Sequence, residues 1–388
     1  MKDWIRNRLE RIDELFPKER LERSKRRYSS LWDGSGSADR LPFVYSPFLF
    51  GYYDDFNSFD DPDERLGLLL EECILHGRLG DDFIPSLFPG CRQSTIPSMF
   101  GAREISIDGF FSCERPTLGS EGISGLPTPS VLPGSVASKW LQLEEYYLEE
   151  TEARIPIHVC DMQGPFDVCG QLIGLDDFFV SALTEPEAWR GLMDKSTGAF
   201  IEFWNRQKEL LGANFIGTHL FGWGWMPENI GATLSADSIV MVSRDFFDEF
   251  YKPDLMKIAK RFDGLVLHSC GDFAHLMDSL KSVPLLKGIH AGQMSLKELV
   301  QAGLDRNHVA ICYTAYEDID EMLGLVAEKD LRLDATINLC PFPPEHARHP
   351  EKWSEEDWRL VMDRDGQVVE RFEVVSSETV KRRSATNP

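Results

Sequence analysis

The feature that most constrains the fold is an alternation between short β-rich runs and longer segments with helical spacing. Most of the β-rich runs are apolar at consecutive positions, which is typical of strands that helices cover on both sides of a parallel sheet. Eight such strands alternating with helices indicate a parallel (β/α)8 barrel. We therefore predict an α/β fold, a TIM barrel, with strands at 42–48, 81–88, 155–161, 214–221, 264–270, 286–292, 309–315 and 332–340.

The remaining segments define the predicted domain organisation. Residues 1–33 are expected to form an N-terminal helical extension, 34–375 the single barrel domain and 376–388 a C-terminal tail. The interval between the second and third strands is too long for one helix. Its segment "IPSMFGAREISIDGFFSCERPTL" (96–118) alternates in the manner of paired strands, so we predict a β-hairpin insertion there.

Charge and composition narrow the function classes. A formal net charge of −23 argues against a nucleic-acid partner, because phosphate binding needs a basic surface. The densest basic run, "ERLERSKRRYSS" (19–30), is expected to be a solvated helix face, with a docking surface for an acidic partner as the alternative. Neither a secretory signal nor a run of roughly 20 apolar residues occurs. We therefore expect a cytoplasmic protein without a membrane segment, whose eight cysteines are reduced thiols.

Two strand ends carry residues that suit a metal site. Barrel enzymes place reactive groups at the C-terminal ends of strands. "LHSCGD" (267–272) ends the fifth strand with His268 and Cys270, which point to the same side because strand side chains alternate. Cys340 ends the eighth strand. One imidazole and two thiolates would form a zinc site with an open fourth position, as in catalytic zinc centres. The alternative is a buried structural histidine with two small apolar cysteines.

Further polar residues end the neighbouring strands. Asp161, His219 and His290 end the third, fourth and sixth strands and are the candidate catalytic residues. Each could serve as a fourth ligand, as a proton acceptor or as the hydrogen-bond partner that fixes the tautomer of His268. A purely structural polar role is the alternative for all three.

Two loops are candidates for substrate contacts. Gly164, in "GPF", would let the backbone approach a ligand closely. "FGWGWM" (221–226) carries Phe221, Trp223 and Trp225 just after the fourth strand. Their rings could stack on a corrinoid or on a cationic methylated substrate, or they could form a hydrophobic lid.

The chain resembles the uroporphyrinogen decarboxylase superfamily over nearly its whole length, from "RLPFVYSPF" to "NLCPF". In particular it is similar to the zinc-dependent methyltransferases of that superfamily, which move methyl groups between a corrinoid and a thiol. The better-matched stretches are "GPFDVCGQLIGLDDFF", "LSADSIVMVSRDFFDEFYKPDLMKIA" and "LHSCGD". His268, Cys270 and Cys340 meet the family's H-x-C-x(n)-C zinc pattern, so the resemblance implies that they bind zinc.

The sequence departs from the true decarboxylases at two places. Those enzymes resemble one another in an Arg-rich segment after the first strand that holds the substrate's carboxylates, whereas this chain reads "SPFLFGYYDDF" there. They also end the eighth strand in Asn-Leu-Gly-His, where this chain has "NLCP" (338–341). Both departures disfavour porphyrin decarboxylation.

The resemblance implies a zinc-dependent methyltransferase that activates a thiol for methyl transfer from or to a corrinoid. No carrier domain is evident in the sequence, so the methylcorrinoid would be a co-substrate on a separate corrinoid protein. The other substrate would be a small thiol or a methylated small molecule. A decarboxylase with a different tetrapyrrole or carboxylate substrate is one alternative. A non-catalytic corrinoid- or tetrapyrrole-binding protein with structural zinc is the other, and a closed site with four protein ligands would favour it.

Overall fold

The computed structural model describes residues 1–46, 59–107, 110–116, 122–219, 224–347 and 349–386. The strands in these ranges are β1 Phe43–Tyr45, β2 Arg103–Ile107, β3 Phe110–Glu114, β4 Ile157–His158, β5 Phe215–Ile216, β6 Ala232–Ser235, β7 Leu265–Ser269, β8 Leu286–Ala291, β9 Val309–Ala315 and β10 Arg332–Asn338. The α-helices are α1 Asp3–Leu15, α2 Lys18–Asp33, α3 Pro62–Gly77, α4 Thr95–Met99, α5 Val136–Glu150, α6 Pro165–Ile173, α7 Leu175–Thr184, α8 Pro186–Leu211, α9 Arg244–Phe246, α10 Lys252–Arg261, α11 Met277–Lys281, α12 Leu296–Gln301, α13 Ile319–Lys329, α14 Pro344–Ala347 and α15 Glu355–Thr386.

The core of the fold is a parallel sheet. Six strands follow one another in the order β1, β10, β9, β8, β7, β6, and β4 pairs with β5 in a second parallel ladder. Two contacts extend the order beyond β1. The amide of Asp82 donates to the carbonyl oxygen of Phe43 at 2.9 Å, and a parallel bridge joins Leu87 to Ile157. Helices cover strands that are apolar at consecutive positions, so the α/β architecture follows the alternation in the sequence.

The observed strands differ from the predicted set at two places. The strand predicted at 81–88 forms an isolated bridge at Leu87, because Pro85 and Pro89 have no amide hydrogen to continue a ladder. β6 is absent from the predicted set, because its four residues "ATLS" are too few to give a clear pattern. The strand is nevertheless paired with β7 along its full length.

The segment predicted to be a β-hairpin contains an antiparallel pair of strands. β2 pairs with β3 in a register that places Arg103 opposite Glu114 and Ile107 opposite Phe110. The Cys113 thiol of β3 donates to the carbonyl oxygen of Gln171 at 3.6 Å, so the pair packs against α6.

Helices from both ends of the chain pack next to β1. The guanidinium of Arg27 in α2 donates to Asp82 Oδ1 at 2.7 Å, next to β1. At the other end, the Tyr45 hydroxyl donates to Asp365 Oδ1 of α15 at 2.6 Å. Since α15 spans Glu355–Thr386, the domain boundary predicted at residue 375 falls inside a helix.

Local signals account for several helix ends. Ser243 caps α9, since its side chain accepts the amide hydrogen of Phe246. Pro253 lies in the first turn of α10, directly after a π-helical turn, where its missing amide hydrogen interrupts no bond of α10. Thr184 is the last residue of α7, and its hydroxyl donates to the carbonyl oxygen of Val180. Among the described residues, no helix has both the length and the apolar character needed to cross a membrane.

Candidate metal centre

The candidate centre lies where β6, β7 and β8 end. The parallel register pairs His268 with Ser235 of β6 on one side and with His290 of β8 on the other. Paired residues of neighbouring strands point to the same face of a sheet. His268 and His290 are buried, and Cys270, just past the end of β7, is half-buried.

Three side chains converge there with the spacing of metal ligands. His268 Nε2 lies 3.4 Å from Cys270 Sγ and 3.5 Å from Asp237 Oδ1, and the three ligand atoms are within 4.8 Å of one another. Around a tetrahedral zinc with bonds of about 2.1 Å to nitrogen or oxygen and about 2.3 Å to sulfur, such pairs would stand about 3.4–3.6 Å apart. The donor set of one imidazole, one thiol and one carboxylate therefore fits zinc in both chemistry and spacing.

Asp237 is a candidate ligand that the sequence pattern did not indicate. It follows β6 by two residues, so the strand-end rule would have indicated it if β6 had been recognised. Its Oδ1 accepts the amide hydrogen of Cys270 at 2.8 Å, which ties the two loops together. The amides of Asp237 and Ser238 in turn donate to the Asp167 carboxylate at 2.9 and 2.8 Å. Burial raises the pKa of Asp167 to about 7, and the charge of Asp237 adds to the shift.

His290 orients His268. Their Nδ1 atoms lie 2.9 Å apart, so one nitrogen donates and the other accepts. Burial lowers the pKa of both imidazoles, most strongly that of His290, and keeps both neutral near pH 7. A neutral His268 that donates through Nδ1 has its Nε2 lone pair directed at Asp237 and Cys270, which is the tautomer a metal ligand needs.

The thiol and the adjacent glycine also suit a bound cation. Burial raises the pKa of Cys270 to about 12, and Asp237 adds to the shift, so this thiol ionises near neutral pH only beside a positive charge. A Cβ on Gly292 would lie 3.0 Å from His268 Cε1 and 3.2 Å from Cys270 Sγ. Only glycine leaves the wall beside these two side chains undisturbed.

A hydrogen-bonded chain runs along the side of the centre formed by β6. Ser235 Oγ donates to Asp161 Oδ2 at 2.9 Å and lies 3.1 Å from His219 Nε2, while His219 Nδ1 lies 2.6 Å from Thr233 Oγ1. Burial raises the pKa of Asp161 to about 6 and lowers that of His219 to about 3. The ring centroids of His219 and His268 are 6.4 Å apart. Asp161, His219 and His290 are thus brought to one region, and their catalytic roles stay predictions.

Cys340 stands apart from the three converging ligands. It is half-buried after β10, and burial raises the pKa of its thiol. Among the described residues, the group that meets the ligand spacing contains Asp237, His268 and Cys270 but not Cys340. The place of Cys340 in the metal site therefore stays a prediction.

The predicted substrate contacts have different surroundings. A Cβ on Gly164 would lie 2.5 Å from the carbonyl oxygen of Ser235, so this glycine is required by close packing against β6. Trp225 is half-buried with Lys25 Nζ of α2 5.7 Å from its ring centroid. Phe221 and Trp223 lie outside the described residues. A substrate-binding role for these four residues is still a prediction.

Comparisons with known proteins agree with the resemblance seen in the sequence. The family model described as uroporphyrinogen decarboxylase (URO-D) matches residues 141–302, which include α6, β6, β7 and β8. No curated protein sequence matches the chain. A solved structure described as a methyltransferase from Methanosarcina mazei has the same fold, with a TM-score of 0.61 and 16% identity over 89% of this chain and 98% of that one. The resemblance of this chain to the uroporphyrinogen decarboxylase superfamily is therefore confirmed.

Proposed function

We propose that this protein is a zinc-dependent methyltransferase that activates a thiol for methyl transfer from or to a corrinoid. The observation that carries the proposal is the convergence of Asp237, His268 and Cys270 at the strand ends, with atom spacings of 3.4 and 3.5 Å. The URO-D match and the fold shared with a protein described as a methyltransferase support the choice of reaction class.

The proposal includes a closed barrel. The backbone contact of Asp82 with Phe43 and the bridge from Leu87 to Ile157 support closure through the segment that precedes the hairpin. A closed barrel would place the ends of β7 and β10 at the same opening. Cys340, two residues after β10, would then be able to join the site as the fourth ligand after a local shift, or it would contact the bound substrate.

The residues that would hold zinc are Asp237, His268 and Cys270. Zinc bound there would supply a Lewis acid that lowers the pKa of a substrate thiol, so that a thiolate nucleophile would be available near neutral pH. His290 Nδ1 accepts the hydrogen of His268 Nδ1 and keeps Nε2 of His268 directed at the ligand group.

Asp161 would take up a proton in this proposal. Its pKa of about 6 lets the carboxylate, ionised at pH 7, accept a proton with little driving force against it. The Ser235 hydroxyl donates to this carboxylate, and Ser235 Oγ lies 3.1 Å from His219 Nε2. In this role His219 orients Ser235, and Ser235 orients Asp161.

The substrates in this proposal are a small thiol or methylated small molecule and a methylcorrinoid carried on a separate protein. The test combines metal analysis with turnover. The purified protein should contain about one zinc per chain and should change the spectrum of free methylcobalamin when the correct thiol is added.

Single variants separate the roles of the ligands. Cys270→Ala and Asp237→Ala should both lower zinc content, since each leaves two of the three converging donors. Cys340→Ala tests whether this thiol is a ligand, and Cys91→Ala is the matched control because Cys91 is also half-buried. Full zinc content in both Cys270→Ala and Asp237→Ala, or turnover that survives complete zinc removal, would contradict the proposal.

A further inference from the structure

An apolar strip crosses the surface from α7 to α9 and the π-helical turn that follows it. It consists of Leu183, Phe179, Phe246 and Phe250, with Val180 beside Leu183. Leu183 is 72% exposed and Val180 59%, the highest values among the large apolar side chains that the structure describes. The ring centroids of Phe179 and Phe246 are 5.8 Å apart, and those of Phe246 and Phe250 are 4.6 Å apart. Leu183 follows Phe179 by one helical turn, which places the two side chains next to each other on one face of α7.

The core beneath the strip is already filled by other side chains. Phe178 stacks on Trp189 with centroids 5.3 Å apart and meets Phe166 edge-on at 4.8 Å. Folding therefore does not need Leu183 or Val180 in the core. Adjacent exposed apolar side chains of this size are typical of a binding surface.

The surroundings of the strip are acidic. Arg244 and Lys252 are engaged by Asp278 at 2.9 Å and Asp248 at 3.1 Å. Arg115 is an exposed cation at the start of α7, where a Cβ on Gly174 would lie 2.5 Å from its Nη1, so the acids outnumber the cations there without excluding them. Other acids nearby are solvent-exposed and take part in no ion pair among the described residues. They are Asp176, Asp177, Glu185, Glu187, Asp245 and Glu249. Four of these acids lie at the starts of α7 and α8, where the helix dipole favours them, and Asp245 and Glu249 lie in α9 and the π-helical turn. All six charges face solvent beside the strip.

The acidic residues around the apolar strip indicate which kind of partner would bind there. Two copies of the chain joined at this face would bring their acidic borders together, which is unfavourable. A partner with apolar side chains between lysines and arginines would be complementary, because its apolar side chains would contact the strip and its cations would face the acidic residues. The strip is about 16 Å long, which matches about three turns of a helix. We infer that the apolar strip binds an amphipathic helix of a partner protein that carries basic residues on both flanks of its apolar face.

The strip lies one helix away from the candidate metal centre. The Phe166 ring at the start of α6 is 6.0 Å from that of Phe179 and 6.4 Å from that of Phe246. The next residue, Asp167, accepts the amide hydrogen of Asp237. A partner on the strip would therefore sit beside the loop that carries a proposed ligand. The inference goes beyond the proposed reaction and holds whatever chemistry the centre performs.

The test uses a fluorescent helical peptide of leucine, lysine and alanine with one apolar face and lysines on both of its flanks. Fluorescence anisotropy should show binding to the full chain that weakens as salt rises. Leu183→Glu and Val180→Glu should each weaken binding at least tenfold. Leu360→Glu introduces the same charge at a residue of α15 that is 44% exposed, and it should change binding less than twofold. The pair Asp176→Asn and Asp177→Asn should reduce the salt dependence.

Three outcomes would overturn the inference. They are absence of peptide binding, equal losses in Leu183→Glu and Leu360→Glu, and a dimer of the wild-type chain in sedimentation that Leu183→Glu dissociates. Turnover with free methylcobalamin does not use the strip, so Leu183→Glu should retain it. If turnover is lacking in the wild-type chain but the peptide binds as expected, the proposed function is contradicted and the docking surface is not.

Discussion

Replacing His290 with phenylalanine should weaken zinc binding without unfolding the protein. The change removes the Nδ1 atom that lies 2.9 Å from His268 Nδ1. A phenyl ring can keep the contacts that His290 makes with the rings of His268 and Tyr313, whose centroids lie 4.6 and 5.3 Å away. Water cannot easily replace the lost acceptor, because both imidazoles are buried. Loss of such a partner of a metal-binding histidine lowers metal affinity by about 10- to 100-fold, or roughly 1.4–2.7 kcal/mol.

Competition with a chromophoric chelator measures this zinc affinity directly. His158→Phe is the matched control, since His158 is another buried neutral histidine, bonded through its ring nitrogens to Thr218 and Ser86. It should cost stability but leave zinc affinity unchanged. His290→Asn offers an amide oxygen in place of the ring nitrogen and should recover part of the affinity. If His290→Phe is folded and binds zinc within twofold of the wild type, His290 does not orient the ligand as argued.

Two further changes test other parts of the structure. Burial raises the pKa of Asp334 from 3.8 to about 7, so its ionisation destabilises the folded state increasingly from about pH 4 to above pH 7. Asp334→Asn should therefore stabilise the protein more at pH 8 than at pH 4, by at most about 4 kcal/mol in denaturant titrations, and a pH-independent difference would refute this. Gly292→Ala should lower zinc affinity because the added Cβ would crowd His268 and Cys270. Gly191→Ala is the control, since Gly191 has open space around it, and this change should leave zinc affinity unaltered. Equal zinc affinities in the two variants would show that Gly292 is not needed at the site.

Most of the sheet could be predicted because its strands are long apolar runs. β9 has the predicted bounds, and β7 and β8 end within one residue of theirs. Short strands cannot be recognised from their own sequence, because their formation depends on pairing with neighbouring strands. β6 has four residues and is recognisable only from its pairing with β7. The segment at 81–88 is apolar enough for a strand, but its prolines leave a bridge at Leu87.

The sequence by itself determined which residues of β7 and its end face the candidate centre. His268 and Cys270 are two positions apart, and side chains alternate along a strand, so local geometry already places them on one side. Only the tertiary structure decided which groups complete the arrangement. Asp237 comes from the loop after β6 and is bonded to the amide of Cys270, while His290 faces His268 through the parallel register of β7 and β8. These contacts depend on strand order and register between segments 22 to 33 residues apart in the chain, which side-chain periodicity within one segment does not specify.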